Sequence, residues 1–134
     1  MPDQVFFYGT LRTGFNRTTR AGIDEFLKFA GRAWINGKLF DLGIYPAAVP
    51  ATDGRVWGEV FEMADPQKVL TALDRIEGHR PAEPERSLYN RVRVAATLDD
   101  GRKEDVWVYF YNAPLGGASR IASGDYLEHL RASK

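Results

Sequence analysis

The chain has 134 residues, 44% of them hydrophobic and 27% charged, which suits one globular domain over 1–134 and argues against intrinsic disorder. Lys and Arg number 18, Asp and Glu also 18, so no general basic field exists to attract nucleic acid or anionic lipid. The absence of cysteine excludes disulfides, thiolate metal sites and cysteine nucleophiles, and His79 and His129 alone are too few for a multi-histidine metal site.

No apolar run approaches the ~20 residues that a membrane helix needs. The start, Met1-Pro2-Asp3-Gln4, lacks the basic and long apolar regions of a secretory signal, so a cytoplasmic location is expected. Aromatic residues make up 13% of the chain, and such side chains favour strands around a small core.

Val5-Phe6-Phe7-Tyr8, closed by Gly9, predicts a buried strand. A polar loop follows over 12–19, and 23–29 is ambiguous between a short helix and a strand. The stretch 33–40 is broken by Asn36-Gly37, a hairpin signal, and a turn-rich segment runs to Pro46. Val56–Met63 reads as a strand. Asp65-Pro66 then opens the best-marked helix: Asp65 is suited to cap it, and Pro66 fits the first helical position. Val69, Leu70, Leu73 and Ile76 form its apolar stripe, Gly78 supplies the stop, and Pro81 prevents continuation. Tyr89–Leu98 and Asp105–Asn112 read as strands joined by the turn Asp99-Asp100-Gly101. Ser123 or Asp125 is placed to cap a short final helix through Leu130. About six strands without helical crossovers predict an α+β fold, a small barrel or strongly curved sheet with the Asp65 helix beside it.

Two segments could carry chemistry. At Tyr8-Gly9-Thr10-Leu11 a buried strand gives way to a loop, where successive amides can converge on an anion; the same residues also read as a plain strand end. Glu77 lies four residues after Leu73 and seven after Leu70, on the apolar side of its helix. Burial and the negative end of the helix dipole both favour the protonated carboxyl, which would bring it toward the range useful for proton transfer at neutral pH. The alternative is a helix-end carboxylate paired with an arginine such as Arg80. Asp74 and Arg75 read as solvated, and His79 as facing solvent. Trp107, Tyr109 and Tyr111 share one strand face, as core or, at Tyr109, with the hydroxyl reaching a pocket. Arg91 and Arg93 share a face with Tyr89 and are either solvated or open to an acidic ligand. No Gly-x-Ser-x-Gly nucleophile elbow occurs.

These pieces form an ordered set. Tyr8-Gly9-Thr10-Leu11-Arg12, Leu39-Phe40-Asp41-Leu42-Gly43-Ile44-Tyr45-Pro46, Leu73-Asp74-Arg75-Ile76-Glu77-Gly78, Tyr89-Asn90-Arg91, Trp107-Val108-Tyr109-Phe110-Tyr111 and Ser123-Gly124-Asp125-Tyr126 follow one another. The set resembles the γ-glutamylcyclotransferase-like family, in its short bacterial and AIG2-like branch, from Val5 to about Leu130. The resemblance implies an α+β fold built on a small mixed β-barrel-like sheet, with one packed helix and short flanking helices. It implies cyclisation of a γ-glutamyl group to 5-oxoproline with release of an amine. Tyr8, Gly9, Thr10 and Leu11 then match the substrate-binding loop and Glu77 the catalytic proton acceptor; Tyr109, from its place on the strand face, is a further candidate substrate contact. The partner is a small γ-glutamyl compound, with no nucleic acid or membrane involved, and the reaction requires neither metal nor organic cofactor. Two rival readings are a non-catalytic small-ligand-binding or regulatory module and an unrelated activity in the same pocket.

Overall fold

The computed structural model describes residues 3–9, 22–43 and 45–132. Eight strands and two α-helices occur there in the order β1 (Gln4–Phe7), β2 (Leu27–Asn36), β3 (Lys38–Asp41), β4 (Pro46–Val49), β5 (Arg55–Met63), α1 (Pro66–Glu77), β6 (Tyr89–Leu98), β7 (Lys103–Tyr111), β8 (Ser119–Arg120) and α2 (Tyr126–Ala132). Five strands close into a barrel in the order β1-β5-β2-β6-β7, and β4-β3-β8 form a second, small sheet. The fold is therefore the expected α+β type. Barrel neighbours are antiparallel except where β1 meets β7, a parallel contact at Val5 and Trp107 that completes the ring. Among the described residues no helix is long and apolar enough to cross a membrane.

Strand alternation sorts the apolar side chains into two clusters. Phe6, Tyr8, Ile35, Val56, Val60, Val106, Val108 and Phe110 point into the barrel. Val5, Phe7, Met63, Tyr89 and Tyr109 lie on its outer wall, where Val69, Leu70 and Leu73 of α1 cover them. Ile76 and Trp107 are partly buried against this outer cluster. Helix α1 has the boundaries its sequence predicts. The Asp65 side chain accepts from the Lys68 amide at 3.2 Å, Pro66 begins the first turn, and Gly78 ends the helix in the left-handed region at φ 66°.

Other expectations need correction. Asn36-Gly37 does not join a hairpin, because β2 pairs with β5 and β6 whereas β3 pairs with β4 and β8. The dipeptide instead marks the corner where the chain leaves the barrel for the small sheet, and the Gly37 amide is held by the Gly54 carbonyl at 3.3 Å. The ambiguous 23–29 segment divides into a 3-10 turn, Asp24–Phe26, and the start of β2. The six expected strands become eight because β4 and β8 are short and carry no alternating pattern. The hairpin at Asp99-Asp100-Gly101 is present, closed by the Gly101 amide on the Leu98 carbonyl at 2.9 Å. At the last helix Asp125 is the cap, since its Oδ1 accepts from the Leu127 amide at 3.0 Å.

Candidate active site

Where β1 ends, the two apolar clusters meet around a cavity of about 90 Å³. Phe6, Phe7, Tyr8 and Gly9 form one wall and Tyr45 and Pro46 a second. Ile76 and Glu77 come from the last turn of α1, and Leu88, Tyr89 and Tyr109 complete the lining. Tyr8, Gly9, Tyr109 and Glu77, widely separated in sequence, therefore border one space. Thr10 and Leu11 lie outside the described residues.

Glu77 reaches the cavity lining at the point where its helix stops. In the left-handed region Gly78 turns its amide back onto the Asp74 carbonyl, and its own carbonyl accepts from the Leu88 amide at 3.0 Å. A Cβ at Gly78 would stand 3.2 Å from Leu88 Cβ, so a side chain there would meet both strain and crowding. Gly9 is constrained differently. Its Cβ would stand 2.8 Å from Pro46 Cγ, so the close approach that glycine permits is made by Pro46.

Three of the cavity's lining tyrosines are tied to main-chain groups or to a carboxylate. Tyr8 donates to the Tyr109 carbonyl at 2.6 Å, and Tyr89 donates to the Pro46 carbonyl at 2.9 Å. Tyr109 donates to Asp74 Oδ1 at 2.6 Å. Burial pushes the Tyr8 phenol well above its ordinary pKa, and neighbouring Tyr89 and the charge of Glu77 add to the rise. Burial also raises Tyr109, with the hydrogen bond to Asp74 and the Asp74 charge next, Arg91 opposing and Glu77 adding to it. Both phenols stay protonated at neutral pH, and both sense the Glu77 carboxylate.

Asp74 departs from expectation. It is not solvated: its side chain is 14% exposed and accepts Arg91 Nε at 2.9 Å and Nη2 at 3.2 Å, besides the Tyr109 hydroxyl. A usable signal existed, because Asp74 follows Leu70 by four residues and so flanks the buried stripe. Arg91 is likewise neither solvated nor open to a ligand, whereas Arg93 is an exposed strand-face arginine 3.6 Å from Asp105. His79 does not simply face solvent: its ring meets the Tyr109 ring edge-on at 6.4 Å, and its Nδ1 is buried. Tyr45, Pro46, Leu88 and Tyr89 also line the cavity without having been singled out as ligand contacts; their place depends on the small sheet and on the connection after α1, which local pattern does not give.

Such an arrangement brings a helix-end glutamate and a strand terminus to the border of one space lined with aromatic residues. It can hold a small polar molecule and exchange a proton with it.

Comparison with known proteins agrees with this geometry. Residues 5–128 match the family described as gamma-glutamyl cyclotransferase, AIG2-like. The protein MJ1514 of Methanocaldococcus jannaschii is 32% identical over 129 residues, which span 95% of this chain and 98% of that one. The Escherichia coli gamma-glutamylcyclotransferase family protein YtfP is 34% identical over 93 residues, 69% of this chain and 70% of its own. The solution structure of that protein superposes with a TM-score of 0.64 at 29% identity, covering 94% of this chain and 97% of that one. YkqA of Bacillus subtilis gives a TM-score of 0.72 at 27% identity over 100% of this chain, which spans 44% of that longer one. By sequence and by fold, the chain belongs to the gamma-glutamyl cyclotransferase, AIG2-like family.

Proposed function

We propose that this protein converts the γ-glutamyl group of a γ-glutamyl amine or γ-glutamyl peptide to 5-oxoproline and releases the amine, with Glu77 as the proton carrier. The observation that carries this reading is the shared cavity, whose lining includes both Glu77 and the Tyr8-Gly9 strand end. The substrate brings both reacting groups. Glu77 takes a proton from the α-ammonium, whose ordinary pKa is ~7.7–8.0. The freed amine nitrogen attacks the γ-carbonyl carbon and forms the ring C–N bond. The resulting oxyanion collapses, the bond to the leaving nitrogen breaks as that nitrogen takes the first proton back from Glu77, and the ring nitrogen passes its second surplus proton through the same carboxylate to the amine, which departs as an ammonium. Atoms balance without water, and the carboxylate returns to its starting state.

Cyclisation is unimolecular once the substrate is bent, so the aromatic walls contribute by holding that conformer. Main-chain amides of the segment after Tyr8 are the groups proposed to hold the substrate carboxylate or the oxyanion, in keeping with the family resemblance of Tyr8-Gly9-Thr10-Leu11. The test is product analysis. The protein is incubated with a panel of γ-glutamyl amines and peptides, and 5-oxoproline is measured by chromatography. Formation of 5-oxoproline from at least one member is expected. Tight binding of panel members with no 5-oxoproline from any of them would instead favour a non-catalytic binding module.

A further inference from the structure

Three elements converge on the hydroxyl of Tyr109. Tyr109 of β7 and Arg91 of β6 are directly opposite one another in the ladder between those strands, on the outer face. Asp74 of α1 lies over both. Its Oδ1 accepts the Tyr109 hydroxyl at 2.6 Å and Arg91 Nε at 2.9 Å, and its Oδ2 accepts Arg91 Nη2 at 3.2 Å. Arg91 is held in turn by the Trp107 ring, whose centre is 4.7 Å from the guanidinium carbon. Asp74 and Arg91 are only 14% and 18% exposed, in contrast to the surface pair Arg102–Asp100 at 58% and 55%.

Proton counting gives this triad a consequence. A phenol has one proton to donate, and an ionised carboxylate only accepts. With its proton committed to Asp74, the Tyr109 oxygen offers lone pairs alone to anything else it meets. Tyr109 lines the cavity, and its phenol feels the Glu77 charge, so the acceptor stands within electrostatic reach of that carboxylate. Among the described residues the cavity wall has no Lys, Arg or His to compete for those lone pairs.

We propose that Asp74 and Arg91 are positioning residues that fix the Tyr109 hydroxyl as an acceptor, and that this makes the cavity prefer ligands carrying an N–H donor at the place that oxygen faces over otherwise matching ligands that lack a donor there. The donor is the α-ammonium if the cyclotransferase reading above holds, on which the choice of ligand rests. Arginine is required at position 91 because only a planar guanidinium spans both carboxylate oxygens at once.

The experiment compares binding of L-glutamine with that of its desamino analogue, 4-carbamoylbutanoate, by NMR titration, in the wild type, Tyr109→Phe, Asp74→Asn and the double variant. One hydrogen bond to a charged group corresponds to a preference of about ten-fold or more for L-glutamine in the wild type. Tyr109→Phe and Asp74→Asn should each shrink that preference by a similar factor, and the double variant should lose no more than Tyr109→Phe alone, because Asp74 acts through Tyr109. A general loosening of the fold would weaken both ligands together and leave the ratio unchanged. Tyr109→Phe keeps the ring and the Asp74–Arg91 pair, so it remains decisive even if Asp74→Asn fails to fold. Retention of the full preference in Tyr109→Phe overturns the proposal. So does additive loss in the double variant, or a wild type that binds both compounds equally or neither. Ligand preference as described without 5-oxoproline from any substrate leaves the positioning role standing and overturns the catalytic reading; turnover with no preference does the reverse.

Discussion

The barrel interior and the seam between its outer wall and α1 are built from the same strands, yet they differ in chemistry. Successive residues of β1 and β7 face opposite ways, so Val106 and Val108 enter the interior while Trp107, Tyr109 and Tyr111 enter the seam. Inside, apolar side chains fill a closed ring and form a scaffold. In the seam, aromatic residues with hydroxyls meet a helix that also brings Asp74 and Glu77. A sheet closed on itself has no room for a ligand among its filled interior layers, whereas a helix laid on a curved wall leaves a gap where the two diverge. The cavity lies at that divergence.

The contrast predicts that interior and seam fail in different ways. Glu77→Gln should lower 5-oxoproline formation by roughly 10²–10⁴-fold, with the thermal midpoint level or slightly raised, because a charge leaves the negative end of a helix. Rate assays and melting curves on the same preparation check this, with Asp100→Asn in the distant β6–β7 turn as the control. Ile35→Ala in the interior should do the opposite. It should cost about 2–5 kcal/mol of stability by opening a cavity, while the fraction still folded retains its turnover per molecule. Urea titration combined with activity scaled to folded protein decides between these outcomes; an inactive but fully folded Ile35→Ala would erase the distinction between scaffold and site.

A third substitution tests the boundary between the two regions. Gly9→Ala must displace Pro46, at roughly 1–3 kcal/mol, and should raise KM because Pro46 forms part of the cavity wall. Alkaline titration places one probe on each side, Tyr8 inside and Tyr109 in the seam. Both folded pKa values are raised. The folded protein thus keeps protons that the unfolded chain releases near pH ~10, so stability is intact below that pH and falls as pH climbs toward the folded values. Phenolate absorbance should show these two tyrosines ionising only as circular dichroism is lost.

The smallest effect lies away from both regions, at Asp41, whose Oδ2 is 2.7 Å from His129 Nε2. That contact, followed by the Gly43 amide, holds the carboxyl below its ordinary pKa. Its contribution is present above pH ~3.9 and disappears as pH falls through the depressed folded value. For a partly exposed pair this is no more than about 1 kcal/mol, and Asp41→Asn should flatten that part of the acid unfolding curve.

Sequence showed most clearly what is local. The cap at Asp65, the stripe of α1 and the Gly78 stop concern residues within one turn of each other, and their limits were legible to the residue. The long alternating strands β5, β6 and β7 were legible for the same reason. Pairing was not. Asn36-Gly37 has the composition of a hairpin turn, but the partner of each flanking strand is chosen by burial elsewhere, and the chain uses the dipeptide as a corner. At the site, Glu77 could be picked out from its place on an apolar face. Asp74 flanks the same stripe, a local sign that it is not solvated, but its partners Arg91 and Tyr109 come from later strands that no local pattern connects to it. Tyr45 and Pro46 enter the cavity only through the fold of the small sheet.

The parallel contact between β1 and β7 also carries a consequence for biogenesis. The Tyr8 hydroxyl bonds a carbonyl 101 residues further along the chain. Nothing nearer in sequence can close this ring, so β1 leaves the ribosome first and waits with an unpaired edge until β7 has followed it. Contacts of such long span make folding slow, since the loop must close before the pairing contributes. The ligand cavity, built on that same strand end, is then among the last features to form. A chain interrupted before β7 would carry Glu77 on an intact helix sequence and still have no site. Order of synthesis thereby joins the appearance of the cavity to completion of the whole domain.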